Sequence, residues 1–318
     1  MSAAVTETPR VLVTGGSGFI GAWVLRELIA RGCQPVVFDT GENRIRWRRV
    51  VGVAADHIPV FVGNLAQPAD LERAFDAAPI SHVIHLAAWL TPDCQRDPLR
   101  GCEVNVLGTT ALFEAARRHH VQGLAWASSM AVFGPEPGEQ SATGTKAPPA
   151  VNQPPSFYGA FKKACELIAQ QYWLHHQLPS VGLRPHVVYG PERELGISAG
   201  PSLAARAAAR GGEYTIGFRG ELGYDYVTDV ARAFVRSALE APSGAWVADL
   251  PSEPASVERV VELLEQLVPG SASRISVDGP VLPSNHSPQT EPLQRLFPDW
   301  RPTSLREGLR QTIEFYRT

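Results

Sequence analysis

A chain of 318 residues with 44% hydrophobic and 19% charged composition is globular and long enough for a full α/β core with a smaller lobe beside it. Its net charge of -3 supplies no basic field for nucleic acid, and no basic tract interleaved with aromatics supplies one locally. Residues 1–9 read as a short polar leader without a signal peptide's apolar centre, and nothing later approaches a membrane span, so the expected location is cytoplasmic.

The chain opens as strand, tight glycine turn and helix: an apolar strand at 11–13, the run TGGSGFIG at 14–21, then a helix to residue 30. Gly15, Gly18 and Gly21, with Phe19 and Ile20 between the last two, have the spacing G-x-x-G-x-x-G. Missing side chains there allow a tight turn and a close approach to a pyrophosphate at a helix N-terminus. A second strand at 35–38 ends in Asp39, an acid placed to accept hydrogen bonds from ribose hydroxyls and to repel a 2′-phosphate, which argues for NAD over NADP. Arg44, Arg46, Arg48 and Arg49 follow and read as a solvated basic loop, with phosphate contact as the alternative. Strands at 58–62 and 82–86 end near Asn64, Leu65, Leu86, Ala87 and Ala88, which either border the adenine and the dinucleotide or simply pack strand ends.

Next come a helix at 99–119, a strand at 123–128, a proline-rich loop at 135–155, a long helix at 158–175 and a strand at 181–184. Alternating strands and helices call for a parallel sheet covered on both faces, a Rossmann-type doubly wound α/β fold, over residues 1–190. Beyond 190 the rhythm is less regular: a helix at 202–210, strands at 214–217 and 245–249, helices at 257–267 and 305–317, and a connector at 280–292 that reads as a passive loop or a substrate lid. Residues 191–318 therefore form the expected substrate-binding lobe, with 245–249 crossing back toward the main sheet. Cys33, Cys94, Cys102 and Cys165 lack paired metal-ligand spacing, and the nine histidines fit helix ends and strands better than ligands, so no metal is expected.

Ser129, Tyr158 and Lys162 carry the chemistry. A tyrosine four residues before a lysine puts both heads on one helix face. The spacing alone also fits an aromatic ring packed under a solvated amine. With a serine at a strand end, the set can polarise a hydroxyl oxygen, take its proton on the tyrosine and favour the phenolate with the lysine charge.

In TGGSGFIG, Asp39, HLAA at 85–88, Asn105, SSMAVFG at 128–134, YGAFK at 158–162, RPHVVYGP at 184–191 and YVTDVARAF at 226–234, the chain resembles the extended short-chain dehydrogenase/reductase superfamily, more narrowly its NAD-dependent epimerase/dehydratase branch. The resemblance implies NAD as cofactor, Ser129, Tyr158 and Lys162 as the catalytic set, Asn105 as an organiser of the cofactor site, and Pro185, Val187 and Val188 beside the nicotinamide. It also implies a homodimer through helices near 99–119 and 158–175, which could equally be ordinary sheet cover. Departures from the family pattern narrow the reaction. Met130 and Ala131 stand where dehydratases carry Asp and Glu, so water elimination by that route is not expected. Tyr224 occupies the neighbourhood of a diphosphate-binding arginine, with Arg193 and Arg219 as substitutes from nearby loops. His186 reads either as a substrate contact or as a loop histidine satisfied by backbone.

The expected activity is hydride transfer between NAD and a secondary alcohol of a small sugar-like substrate, with Trp89, Thr91, Ser129, Met130, His186, Arg193 and Tyr224 as candidate pocket residues. The alternative is an epimerase passing through a transient ketone, and a third reading is a redox-silent nucleotide-binding regulator.

Overall fold

A computed structural model describes residues 8–134, 154–282 and 288–317. The core is built on three strands and helices at the N-terminus: β1 (Arg10–Thr14), α1 (Phe19–Ala30), β2 (Gln34–Asp39), α2 (Arg44–Val51), β3 (Val60–Val62) and α3 (Pro68–Asp76). The chain continues through β4 (His82–His85), α4 (Thr91–Arg96), α5 (Pro98–Cys102), α6 (Gly108–Arg118), β5 (Gly123–Ala127), α7 (Phe157–His176) and β6 (Ser180–Arg184). A final strand, β10 (Ala245–Asp249), completes a parallel sheet of order β10-β6-β5-β4-β1-β2-β3. The expected crossing back of 245–249 is therefore an edge strand in register with β6, Asp249 opposite Arg184.

Side chains alternate between the two faces of this sheet. On β1, Val11 and Val13 join the core under α1, with Trp23, Val24, Leu25 and Leu28, while Leu12 joins the opposite core with Phe75, Leu112, Phe113 and Cys165. All three β1 residues are fully buried, each contributing about 1.5–3 kcal/mol by leaving water. Strand order reverses between β1 and β4, so their C-terminal ends splay and leave a crevice.

The second lobe uses a mixed sheet of β7 (Val187–Tyr189), β9 (Glu221–Tyr226) and β11 (Glu253–Ser256), in order β11-β9-β7. Beside it lie α8 (Gly200–Arg210), α10 (Val257–Leu267) and the parallel pair β8 (Tyr214–Ile216) and β12 (Ile275–Val277). α9 (Val227–Glu240) follows β9 directly but packs back against α1 and β5, so part of the 191–318 stretch covers the main sheet. α11 (Glu291–Leu296) and α12 (Leu305–Arg317) close the chain, and among the described residues no helix is long and apolar enough to cross a membrane.

Several local expectations need correction. Residues 44–51 are helical, because Trp47 and Val50 bury one stripe and Asn43 caps the first turn by accepting the Arg46 amide. Its arginines are engaged: Arg46 with the Ser17 carbonyl and Glu194, Arg48 with Asp56, Arg49 with Glu192, and Arg44 with Glu42 and the Ala55 carbonyl. The loop at 184–191 contains strand β7, paired parallel with β9. The helix at 99–119 is three pieces, α5, a π-helical turn at Glu103–Leu107, and α6. In the connector, Pro292 sits in the first turn of α11, where its missing amide costs nothing. Most of the proline-rich loop, the start of the leader and residues 283–287 lie outside the described residues.

Candidate active site

The glycine turn leaves β1 with Gly15 at φ +72, and a Cβ there would lie 2.7 Å from the Ala87 nitrogen at the end of β4. Glycine at this position lets two strand ends meet across the crevice. A side chain on Gly21 would collide with the Gly15 carbonyl, so the third glycine sets how tightly α1 packs on the turn. The first helical bond runs from Ala22 to Gly18, leaving the Phe19, Ile20 and Gly21 amides without intrahelical acceptors at the positive end of the helix dipole. Asp39 at the end of β2 accepts the Ser17 amide at 3.0 Å and the Thr40 amide at 2.8 Å, so its carboxylate is fixed at the crevice edge.

Of the sequence-predicted residues, Gly15, Gly18, Asp39, Asn64, Leu65, Leu86, Ala87, Ala88 and Trp89 line one cleft. Asn64 turns its side-chain oxygen to the Ala66 amide, while its own amide is held by Asp70. Arg100 and Val104 also line the cleft and lacked any local motif to announce them.

Asn105 is not a cleft-wall residue. It is buried in the π-helical turn, where its side-chain oxygen accepts the Trp89 amide at 2.8 Å and its nitrogen donates to the Trp89 carbonyl at 2.9 Å. It therefore fixes the backbone that leaves the Ala87–Ala88 corner, as an organiser. Beneath that corner, buried His85 bridges the Thr14 and Thr109 hydroxyls at 2.6 and 2.9 Å. Burial, with the nearby Lys162 charge, drops its pKa to about 3, so the ring is neutral and serves as a hydrogen-bond bridge.

Ser129 follows β5 in extended conformation and accepts the Ala131 amide at 3.1 Å. Its hydroxyl lies close enough to the Tyr158 phenol to pull that group's pKa down, which brings together two residues 29 apart in sequence. Ser156 caps α7 through the Gly159 amide, and Gly159 is packed so closely on the Ala131 carbonyl that a Cβ would overlap it. The glycine between Tyr158 and Lys162 thus seats the helix on the serine loop. Lys162 is buried, with Nζ 5.6 Å from the Tyr158 ring centre and 2.6 Å from the Ala127 carbonyl. Burial pushes the phenol up to about 12, against the lowering pull of the Ser129 hydroxyl, although part of the Tyr158 residue remains open to solvent. The phenolate is therefore not favoured in the protein alone, because burial opposes its charge and the ammonium faces a carbonyl.

Sequence reasoning missed the support beneath this set. Glu166, one turn beyond Lys162, accepts two bonds from Arg184 at 2.6 and 2.7 Å and one from Ser128 at 2.7 Å. Arg184 also reaches Asp249 at 3.1 Å, tying α7, β5, β6 and β10 together at one end of the sheet.

The substrate candidates separate into two groups. Trp89 and Thr91 stand at the crevice end of β4 and the start of α4, and Ser129 at the catalytic point. Met130 is buried with Val132 and Phe133, its amide donating to the Pro185 carbonyl at 3.3 Å. Arg193 is held by the Val188 carbonyl and Ser198, with its guanidinium over the Phe19 ring, and burial lowers its pKa to about 10. Tyr224 lies in an aromatic cluster against Tyr189. Arg219 is directed to the Val277 carbonyl and Asp278. The two arginines are thus held by protein groups, while the Tyr224 hydroxyl is buried without a partner. His186 keeps both ring nitrogens buried without a partner, and burial lowers its pKa to about 4.

A doubly wound sheet with a glycine turn at its switch point and a Ser/Tyr/Lys set at an adjacent strand end defines the extended short-chain dehydrogenase/reductase architecture. Within it, the chain belongs to the NAD dependent epimerase/dehydratase family, whose model matches residues 11–247. The Thermus thermophilus UDP-glucose 4-epimerase, solved with NAD, is 29% identical with TM-score 0.78, covering 97% of this chain and 99% of that one. The UDP-glucose 4-epimerase of Thermotoga maritima, solved with UDP-glucose, is 25% identical with TM-score 0.78, covering 97% and 98%. UDP-glucuronate 4-epimerase 3 of Arabidopsis thaliana is 33% identical over 191 residues, 57% of this chain and 43% of that protein. The aligned stretches span about half or less of the length of these curated relatives. The residues present fit the family's dinucleotide: Gly15 and Gly18 of a collision-tight turn and an ordered Asp39 stand along one cleft, with the unpaired amides of the α1 N-terminus following directly on that turn.

Proposed function

We propose that this chain is an NAD-dependent oxidoreductase acting on a secondary alcohol of a small sugar-like substrate. The observation that carries the reading is the Lys162 ammonium 5.6 Å from the Tyr158 ring, on a helix that Gly159 seats tightly against the Ser129–Ala131 loop at the strand ends beside the glycine cradle. Bound NAD supplies the hydride acceptor or donor that the protein's own side chains lack. Ser129 donates to and orients the substrate oxygen, and Tyr158 takes the hydroxyl proton on oxidation and returns it on reduction. With NAD bound, Lys162 would help hold the cofactor's ribose and bring its charge to bear on the phenol. Met130 and Ala131 have no proton to move, which leaves net water elimination outside this site's chemistry.

Epimerisation through a transient ketone is the second reading, and it is favoured by similarity across nearly the whole chain to UDP-sugar 4-epimerases. The two share the first half-reaction and differ in what leaves. The deciding experiment follows free NADH absorbance after mixing enzyme and NAD with free sugars, sugar acids, polyols and nucleotide sugars, with products weighed by mass spectrometry. Accumulating NADH with a product two hydrogens lighter is expected. A mass-neutral change of configuration without accumulation makes the enzyme an epimerase, and silence across the panel despite NAD binding removes the catalytic reading.

A further inference from the structure

The peptide joining Pro185 to His186 is clamped at both ends. Its carbonyl accepts the Met130 amide at 3.3 Å, one residue beyond Ser129. Its N–H donates to Asp225 Oδ2 at 2.8 Å. The other oxygen of Asp225 accepts the Ser252 hydroxyl at 2.8 Å. Pro185 and His186 are the two residues between β6 and β7, and Ser252 lies in the short link between β10 and β11. One buried carboxyl on β9 thus grips both places where the main sheet passes into the second lobe.

We propose that Asp225 is a positioning residue that sets the Pro185–His186 peptide, and through its carbonyl the Ser129–Met130 loop, so that cofactor ring and serine hydroxyl share one frame. Ser252 anchors the aspartate, which would otherwise follow any shift of β9. The packing at His186 is tight enough to transmit such a shift: a Cβ on Gly223 would sit 2.9 Å from the His186 ring. Burial, opposed by the two hydrogen bonds, raises the Asp225 pKa to about 7, with Asp229 and Asp249 adding to the rise. Both protonation states can hold the geometry, since a protonated carboxyl accepts from His186 on one oxygen and donates to Ser252 from the other. Asparagine has the same pattern of one acceptor and one donor, whereas alanine has neither.

The link from Asp225 to the serine loop stands on geometry alone, while its reach to the nicotinamide rests on the NAD reading above. Two readouts keep them apart. In hydrogen exchange on the cofactor-free protein, Asp225→Ala is expected to speed exchange at least tenfold in both 185–188 and 128–133, and Asp225→Asn to restore wild-type rates. Acceleration confined to strand β9 and residue 252, or a failure of asparagine to restore the serine loop, overturns the proposal. Should the alanine variant not fold, Asp225→Leu fills the same space without an acceptor and carries the same comparison. In titrations, Asp225→Ala is expected to weaken NADH at least fivefold and ADP-ribose, which lacks the nicotinamide, less than twofold. Equal losses, or none, remove the nicotinamide half of the proposal. If the wild-type protein binds neither probe, the NAD reading has failed while the exchange experiment still decides the coupling.

Discussion

The ionisation of Tyr158 can be predicted in some detail. With its pKa raised to about 12 by burial, only about one phenol in 10⁴ is ionised at pH 8, a deficit of about 5 kcal/mol against a fully formed base. Lys162 Nζ stands 5.6 Å from the ring; at an effective dielectric of about 20, one unit charge at that range stabilises a phenolate by about 3 kcal/mol, or roughly two pKa units. Releasing the ammonium from the Ala127 carbonyl and adding the positive ring of oxidised nicotinamide should therefore lower the midpoint by at least about two units. The assay is a tyrosinate absorbance titration of nucleotide-stripped protein, taken as the difference between wild type and Tyr158→Phe. Without cofactor no Tyr158 ionisation is expected below about pH 11, and saturating NAD should bring it into the range of ordinary assays, an effect that Lys162→Met should weaken. A midpoint below 10 in the stripped protein, or one that NAD leaves unmoved, would falsify the account of a buried phenol activated by two cationic neighbours.

Three further outcomes follow from the geometry. Glu166→Gln should cost about 1.5–3 kcal/mol, because it removes the charge that faces the Arg184 guanidinium while Asp249 still holds it, and urea unfolding at pH 7 measures it. Burial raises the Glu166 pKa but the Arg184 bonds and charge outweigh it, holding the group below its ordinary value; its stabilising contribution is thus full above about 4.5 and lost as pH falls through the lowered pKa, a slope the glutamine variant should flatten. Asp39→Ala should reduce the preference for NAD over NADP, and an unchanged ratio of affinities would assign that preference to another group. Exposed Leu99, Leu107, Phe157, Leu167 and Leu174 on and beside α5, α6 and α7 favour a homodimer, so light scattering should return twice the chain mass, and a monomer at micromolar concentration would discard it.

What was legible in the sequence was what depends on near neighbours. The glycine turn, the acid ending β2 and the tyrosine and lysine one turn apart are set by spacing, and the sheet followed from alternating elements. Helix α2 was misread because four arginines hid the two buried residues, Trp47 and Val50, that hold it. The ion network escaped notice because Glu166, Arg184 and Asp249 are separated by 18 and 65 residues and meet only through parallel register. Helix geometry places the Lys162 head beside Tyr158, whereas its hydrogen bond to the Ala127 carbonyl at the end of β5 depends on a distant element and had no local signal. The grip of Asp225 was not legible because its partners, the His186 amide and the Ser252 hydroxyl, come from two distant links.

Among the described residues, the chain passes between main sheet and second lobe at residues 185–186, at the direct junction of Tyr226 and Val227, and at residues 250–252. A body fastened at two points can swing like a door; fastened at a third point off that line, it cannot. Ligand entry and release in this molecule must then be managed by loops rising from a stiff frame, and its overall dimensions in solution should be the same with the cofactor as without it.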